Sequence, residues 1–281
     1  MTYFSDLLAS GTATAPPPSA HKNGKTSEYV NPEWGTPACQ HEDAATIDDA
    51  SRLAFVTDPG SAGADRFRFL RMRLQELRVL LDVRSVLVTS PLPEDGKTTV
   101  VLNLATALAE GGKRSVLVVE GDLHHPSVAE RLGLPLRAGL AECLEDCRDP
   151  RSGIRRVRPL DWFLLQAGKA SVNPTELIQS NSFSAALKQL STSFDWVLID
   201  SPPVAPLTDA VWLSRQASTS LVVVRAGRTP RQVAQEAVEL LGPKKVFGIL
   251  FNGAERFNRL YSNYHKYYRK KRFYSRQPSA E

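Results

Sequence analysis

No stretch of about 20 consecutive apolar residues occurs in this chain, so no segment is expected to cross a bilayer as a helix. The N-terminal segment MTYFSDLLASGTATAPPPSAHKNGK lacks the basic start and apolar run of a secretory leader. Cysteine is scarce. Cys39, Cys143 and Cys147 are the only three, which excludes a disulfide framework. Cys143 and Cys147 stand four apart, a spacing that predicts one helix face, and a metal site there competes with a purely structural role. A reducing, cytoplasmic setting fits this usage. Acidic residues are missing from 256–276, where eight Lys/Arg stand, while the remainder holds 27 basic residues against 30 acidic. The net charge of +5 therefore belongs to the C-terminal tail and not to the folded body. This argues against a nucleic-acid binder, and no nucleic-acid partner is expected.

Between these tails the chain alternates short apolar runs with helical patterns. Residues 1–50 are rich in Ala, Pro, Ser, Thr and Gly and are expected to form a disordered arm. Residues 64–81 carry Phe67, Leu70, Leu74, Leu77 and Leu81 at helical spacing. Strands are predicted at 84–89, 115–119, 162–166, 195–199, 219–224 and 246–251, with helices at 97–110, 175–190 and 229–241. Continuous apolar strands alternating with helices predict an α/β fold, a mostly parallel sheet flanked by helices on both faces, as in the three-layer P-loop NTPases. The expected division is an arm at 1–50, a nucleotide-binding body at 51–255 and a basic, tyrosine-rich tail at 256–281.

The first strong strand runs into SPLPEDGKTT, residues 90–99, and then into a helix. Strand, tight loop, Gly-Lys-Thr and helix is the context of a P-loop. Ser90, Pro93, Glu94, Asp95, Gly96 and Thr99 form the loop and first turn around the phosphates, whose free amides bind phosphate oxygens, Lys97 brings charge to the β- and γ-phosphates, and the Thr98 hydroxyl can ligate magnesium. Pro91 stands where the P-loop pattern has its first Gly. Two further strands end in carboxylates: SVLVV runs into Glu120 and Asp122, and DWVLI into Asp200. Carboxylates at strand ends beside a P-loop suit magnesium binding and proton acceptance in phosphoryl transfer. Helix caps and loop turns are the bland alternative for each.

Together these residues resemble the bacterial tyrosine kinases of the capsular and exopolysaccharide type, the CpsD/CapB-like family, over about residues 60–275. The family's phosphate loop meets Ser90, Pro93, Gly96, Lys97 and Thr98, with Asn103 and Leu104 following. Its second motif meets Asp122 and Pro126, and its third meets Asp200, Pro202, Pro203 and Asp209. GKASVNPTELIQS (168–180) is similar to a further family segment. Asp65, Arg68 and Arg71 are similar to the helix linked to oligomerisation. The tail tyrosines Tyr261, Tyr264, Tyr267, Tyr268 and Tyr274, five of seven in the chain, match the family's autophosphorylation cluster. Three departures stand out. Glu94 occupies a glycine position, where a side chain at positive φ costs roughly 1–2 kcal/mol. Glu120 replaces the Asp implied to be the base, and His124 replaces an Arg.

The resemblance implies an ATP- and Mg²⁺-dependent autokinase with Lys97, Glu120, Asp122 and Asp200 catalytic, and with Thr98, Asp122 and Asp200 around the metal. It implies a homo-oligomeric ring and a membrane adaptor of the polysaccharide co-polymerase type, which would recruit the chain to the inner face of the cell membrane. A tyrosine phosphatase is a further partner to expect. Two other readings share the fold. A partition- or division-type ATPase switch usually carries an extra lysine early in the loop, and residues 90–96 contain none. A degenerate nucleotide-binding partner would account for Glu94, Glu120 and His124.

Overall fold

The computed structural model describes residues 41–47, 52–112, 114–205 and 208–254. Eight strands form one sheet: β1 (His41–Ala44), β2 (Ser85–Thr89), β3 (Val116–Glu120), β4 (Ile154–Arg158), β5 (Trp162–Leu165), β6 (Trp196–Asp200), β7 (Thr219–Arg225) and β8 (Val246–Asn252). Their spatial order is β1-β4-β5-β3-β6-β2-β7-β8, with β4/β5 the antiparallel pair and every other pairing parallel. The central strands β2, β3 and β6 are buried along their whole length. That is why they read as unbroken apolar runs rather than alternating ones.

Nine α-helices surround the sheet among the described residues: α1 (Ala54–Thr57), α2 (Ala62–Leu81), α3 (Lys97–Ala109), α4 (Val128–Arg131), α5 (Leu140–Glu145), α6 (Pro174–Gln179), α7 (Asn181–Ser193), α8 (Asp209–Gln216) and α9 (Arg231–Leu241). The period of two along each strand divides the core. Val86, Val88, Val116, Val118 and Leu198 face α3 and the buried side of α2. Leu87, Leu117, Val119, Val197 and Ile199 face α5, α6 and α7. Val222 and Val224 pack beneath α9.

Local chemistry sets the helix ends. Ser61 caps α2 by accepting from Ala64 N. Residues 175–190, expected as one helix, form two. Ser180 is extended, its hydroxyl donates to Leu177 O and accepts from Phe183 N, and it closes α6 while opening α7.

Two expectations are corrected. The arm predicted over 1–50 contains a strand: β1 pairs in register with β4, and Asp43 binds Arg155 at 2.8 Å, so backbone and charge together hold it at the sheet edge. Cys143 and Cys147 do not share a helix face. α5 ends at Glu145, and Cys147 follows at φ 51, leaving Cys143 buried and Cys147 exposed. Among the described residues no cluster of His, Cys, Asp or Glu could hold a metal with three or more protein ligands. None of their helices is long and apolar enough to cross a membrane.

Candidate functional site

The site gathers at the C-terminal ends of β2, β3 and β6, which are neighbours in the sheet. Open α/β sheets bind ligands at such an edge. β2 leads into the Ser90–Gly96 loop and then α3, so the first turn of a 13-residue helix faces the loop. Gly96 caps α3 at φ +97, and a Cβ there would stand 2.0 Å from Asn252 Nδ2, so glycine is required on two grounds.

The loop is braced from inside the fold. Asp95 is buried: Leu92 N donates to its Oδ2 at 3.1 Å and Thr229 Oγ1 to its Oδ1 at 2.6 Å. Asn252 Nδ2 donates to Asp95 O at 2.9 Å, and Ser90 Oγ donates to Leu92 O at 2.7 Å. Asp95 and Ser90 therefore shape the loop through their side chains. Glu94 stands at φ 62, the left-handed region foreseen for that position, with its exposed carboxylate 3.1 Å from Arg228. Pro93 shares that exposed tip, and Thr99 lies in the first turn of α3.

Lys97, Thr98, Asp122 and Asp200 meet. Thr98 Oγ1 donates to Asp200 Oδ2 at 2.8 Å, and Lys97 Nζ lies 3.3 Å from Asp122 Oδ2. Asp122 Oδ1 accepts from His125 N, which fixes the turn after β3. Asp200 is buried, and its Oδ1 has no hydrogen-bond partner. Burial pushes its carboxyl up from 3.8 to about 7, against the opposing pull of Lys97 and Thr98, while the charges of Glu120 and Asp122 push it further up. An orphaned oxygen beside a threonine hydroxyl suits a hard cation. Asp122 is paired with Lys97, so Thr98 and Asp200 are the groups that would hold magnesium, with phosphate oxygens and water completing its shell.

Glu120 belongs to the same strand end and has a different occupation. Its Oε1 accepts from Ser127 N at 2.6 Å and Val128 N at 2.7 Å, and its Oε2 accepts from Ala167 N at 3.1 Å. The carboxylate thus caps α4, whose own N-cap residue Ser127 makes no side-chain cap. The extra methylene relative to Asp supplies the reach. Both oxygens are committed to backbone.

A second cluster was partly legible. His124 Nε2 lies 3.0 Å from Asp209 Oδ2, and Thr175 Oγ1 donates to the same oxygen at 3.3 Å. The 168–180 segment therefore reaches the site through Thr175, placed by the Asn173 cap and Pro174 at the start of α6. Asn252 and Thr229 were missed. They lie more than 130 residues from the loop in sequence, and no local pattern marks them.

Asp65, Arg68 and Arg71 lie on α2, apart from this site. Arg68 binds Asp65 at 3.0 Å and Glu110 at 2.7 Å, and Arg71 binds Glu110 at 2.7 Å and Ala107 O at 2.7 Å. Within one chain they tie α2 to the end of α3. Tyr261, Tyr264, Tyr267, Tyr268 and Tyr274 lie outside the described residues.

Comparison with known proteins adds to this geometry. A family model described as cellulose biosynthesis protein BcsQ matches residues 94–277. Tyrosine-protein kinase YwqD of Bacillus subtilis is 29% identical over 70% of this chain and 84% of its own length. Tyrosine-protein kinase CpsD of Streptococcus pneumoniae serotype 4 is 31% identical, over 66% of this chain and 80% of its own. Among solved structures, the BceF tyrosine kinase domain is 29% identical with a TM-score of 0.64, covering 72% of this chain and 81% of that one. Other relatives are far longer: the chain spans 24% of tyrosine-protein kinase ptk of Acinetobacter johnsonii and 33% of the succinoglycan biosynthesis transport protein ExoP of Rhizobium meliloti.

Proposed function

The chain belongs to the bacterial tyrosine-kinase family of P-loop proteins, and from that premise we propose that it is an ATP-dependent protein-tyrosine autokinase in capsular or exopolysaccharide production. The observation that carries this reading is the pair of contacts at one sheet edge: Thr98 Oγ1 on Asp200 Oδ2 at 2.8 Å and Lys97 Nζ beside Asp122 Oδ2 at 3.3 Å. They bring Lys97, Thr98, Asp122 and Asp200 together, which supports a site for phosphate and a metal ion.

In this reading Thr98 and Asp200 would hold magnesium with the nucleotide. The bound ion would neutralise charge on the β- and γ-phosphates. Lys97 leaves Asp122 for the β- and γ-phosphates when ATP enters, and its departure frees Asp122 Oδ2. A tyrosine hydroxyl then attacks the γ-phosphorus. The bond from that phosphorus to the β-γ bridging oxygen breaks, ADP leaves, and the phenolic proton passes to Asp122. Glu120, placed in the sequence reading as the base, becomes an anchor for α4 and for the end of β5, since its oxygens already hold three amides. The acceptors are Tyr261, Tyr264, Tyr267, Tyr268 and Tyr274, reached between subunits of a ring. A membrane adaptor of the polysaccharide co-polymerase type recruits the chain to the inner face of the cell membrane.

A second reading, a nucleotide-binding partner without transferase activity, is favoured by the occupied Glu120 carboxylate. The two separate in one assay that follows ADP, free phosphate and phosphotyrosine together after Mg·ATP is added. ADP matched by phosphotyrosine supports the autokinase. Bound ATP with neither product supports the partner. ADP matched by free phosphate alone returns the chain to the ATPase-switch reading.

A further inference from the structure

An arginine sits in the sheet with part of its hydrogen-bonding capacity unused. Arg155 stands in β4 between β1 and β5, with its side chain 1% exposed. Its Nη1 donates to Asp43 Oδ2 at 2.8 Å and to Pro135 O at 3.0 Å. Its Nε and Nη2 are buried and have no partner. These two donors form the side-on edge of the guanidinium, which matches two oxygens of a phosphate or carboxylate. Leaving a charged donor edge unpaired in the interior is costly, so such an edge calls for an occupant.

Arg155 lines a half-open cleft of about 400 Å³ with Arg137, Glu142, Cys143, Arg148 and Ser152. That volume falls at the small end of ligand pockets. The acidic groups nearby are spoken for. Glu142 accepts from Gly139 N at 2.7 Å and Lys169 N at 3.0 Å. Asp43 is shared between Arg155 and Arg137, and Asp146 binds Arg148 at 2.5 Å. Burial pushes the Cys143 thiol up, so it adds no negative charge to the cleft. The cleft lies at the same end of the sheet as the phosphate loop, because Arg155 is opposite Leu164 near the end of β5. It is two strand positions from β3, about 10 Å, and four from β2, about 19 Å along the sheet. Its lining includes none of Lys97, Thr98, Asp122 and Asp200, which sets it apart from the nucleotide site.

We infer that this cleft binds a small metabolite through an oxyanion, phosphate or carboxylate, with Arg148 at the rim and with the Nε–Nη2 edge of Arg155 turning from beneath the floor to meet it. The inference rests on the cleft alone and stands whether or not the chain is a kinase.

Calorimetric titration of the full chain with inorganic phosphate, glucose 1-phosphate and glucuronate tests it, with each probe also titrated into Lys97→Met so that binding at the phosphate loop is recognised. Saturable binding of at least one probe is expected to persist in Lys97→Met. It is expected to weaken by about tenfold or more in both Arg155→Met and Arg148→Glu. The phosphate and carboxylate probes identify which oxyanion the site prefers. Should Arg155→Met fail to fold, Arg148→Glu, altered at an exposed position, carries the test. Three results overturn the inference: no saturable binding of any probe, as when the cleft holds only water; binding lost in Lys97→Met; or binding unchanged by Arg148→Glu together with any folded Arg155 variant.

Discussion

Replacing Asp200 with Asn should stabilise the nucleotide-free protein at alkaline pH while weakening its hold on Mg·ATP. Burial raises the Asp200 carboxyl from 3.8 to about 7. The folded state thus keeps a proton that the unfolded chain releases near pH 4. The stability tied to that proton is fully present below the unfolded value and is lost as pH climbs to about 7. At about 1.4 kcal/mol per tenfold change in acidity, the loss is on the order of 4 kcal/mol above pH 7. The substituted amide carries no charge at any pH, and its oxygen can still accept from Thr98 Oγ1. At roughly 2–4 °C per kcal/mol for a body of this size, Asp200→Asn should melt about 8–16 °C higher than wild type at pH 8. The two should converge near pH 4. Adding Mg·ADP at pH 8 should reverse the order, because the ion relieves the charge that the empty site leaves buried. Thermal melts from pH 4 to 8.5, with and without Mg·ADP, give the comparison. An Asp200→Asn variant less stable than wild type at pH 8, or one with the wild-type pH profile, would refute the reasoning.

Glu120→Ala should cost about 3 kcal/mol in urea unfolding, since three amides at Ser127, Val128 and Ala167 lose their acceptor. Glu120→Gln should keep most autophosphorylation, and abolition of transfer in a folded Gln variant would restore Glu120 as the base. A double-mutant cycle on Arg71 and Glu110 should return a coupling of about 1 kcal/mol in the isolated chain, as expected for a partly shielded pair at 2.7 Å. Coupling seen only at concentrations where the chain self-associates would move that pair to a subunit interface. Gly96→Ala should weaken Mg·ATP binding by about tenfold or more in calorimetry, because the left-handed backbone costs roughly 1–2 kcal/mol and the new Cβ displaces Asn252 from the loop.

The sheet's centre was legible because it is buried on both faces. β2, β3, β6 and β7 are apolar runs bounded by polar turns, and each was anticipated to within a residue or two. β4 was not, since IRRVR reads as a charged segment. Arg155 reaches Asp43, a partner 112 residues away that only the folded sheet brings near, and Arg156 reaches Asp161 across the turn into β5. β1 was hidden for the same reason, with His41–Ala44 gaining strand structure from pairing with β4 and not from any pattern of its own.

At the candidate site, residue types at strand ends pointed to Lys97, Thr98, Asp122 and Asp200, which the fold brings together, because a P-loop ties such residues to one short stretch and the neighbouring strands. Glu120 shows where this reasoning stops. Position along the strand suggested chemistry, whereas one extra methylene and the amides of α4 decided its occupation. Asp95 was placed among the nucleotide-binding residues, yet its carboxylate faces inward to Leu92 and Thr229.

Intact-mass and peptide mass spectrometry of the purified chain after incubation with Mg·ATP, beside Lys97→Met and a truncation ending at Glu255, addresses the proposed function directly. Phosphate on residues between Tyr261 and Tyr274 in the wild type, and none in Lys97→Met or the truncation, is the expected result. Tail phosphorylation that persists in Lys97→Met, or a wild type that binds Mg·ATP and acquires no phosphate with or without an adaptor peptide, would contradict it.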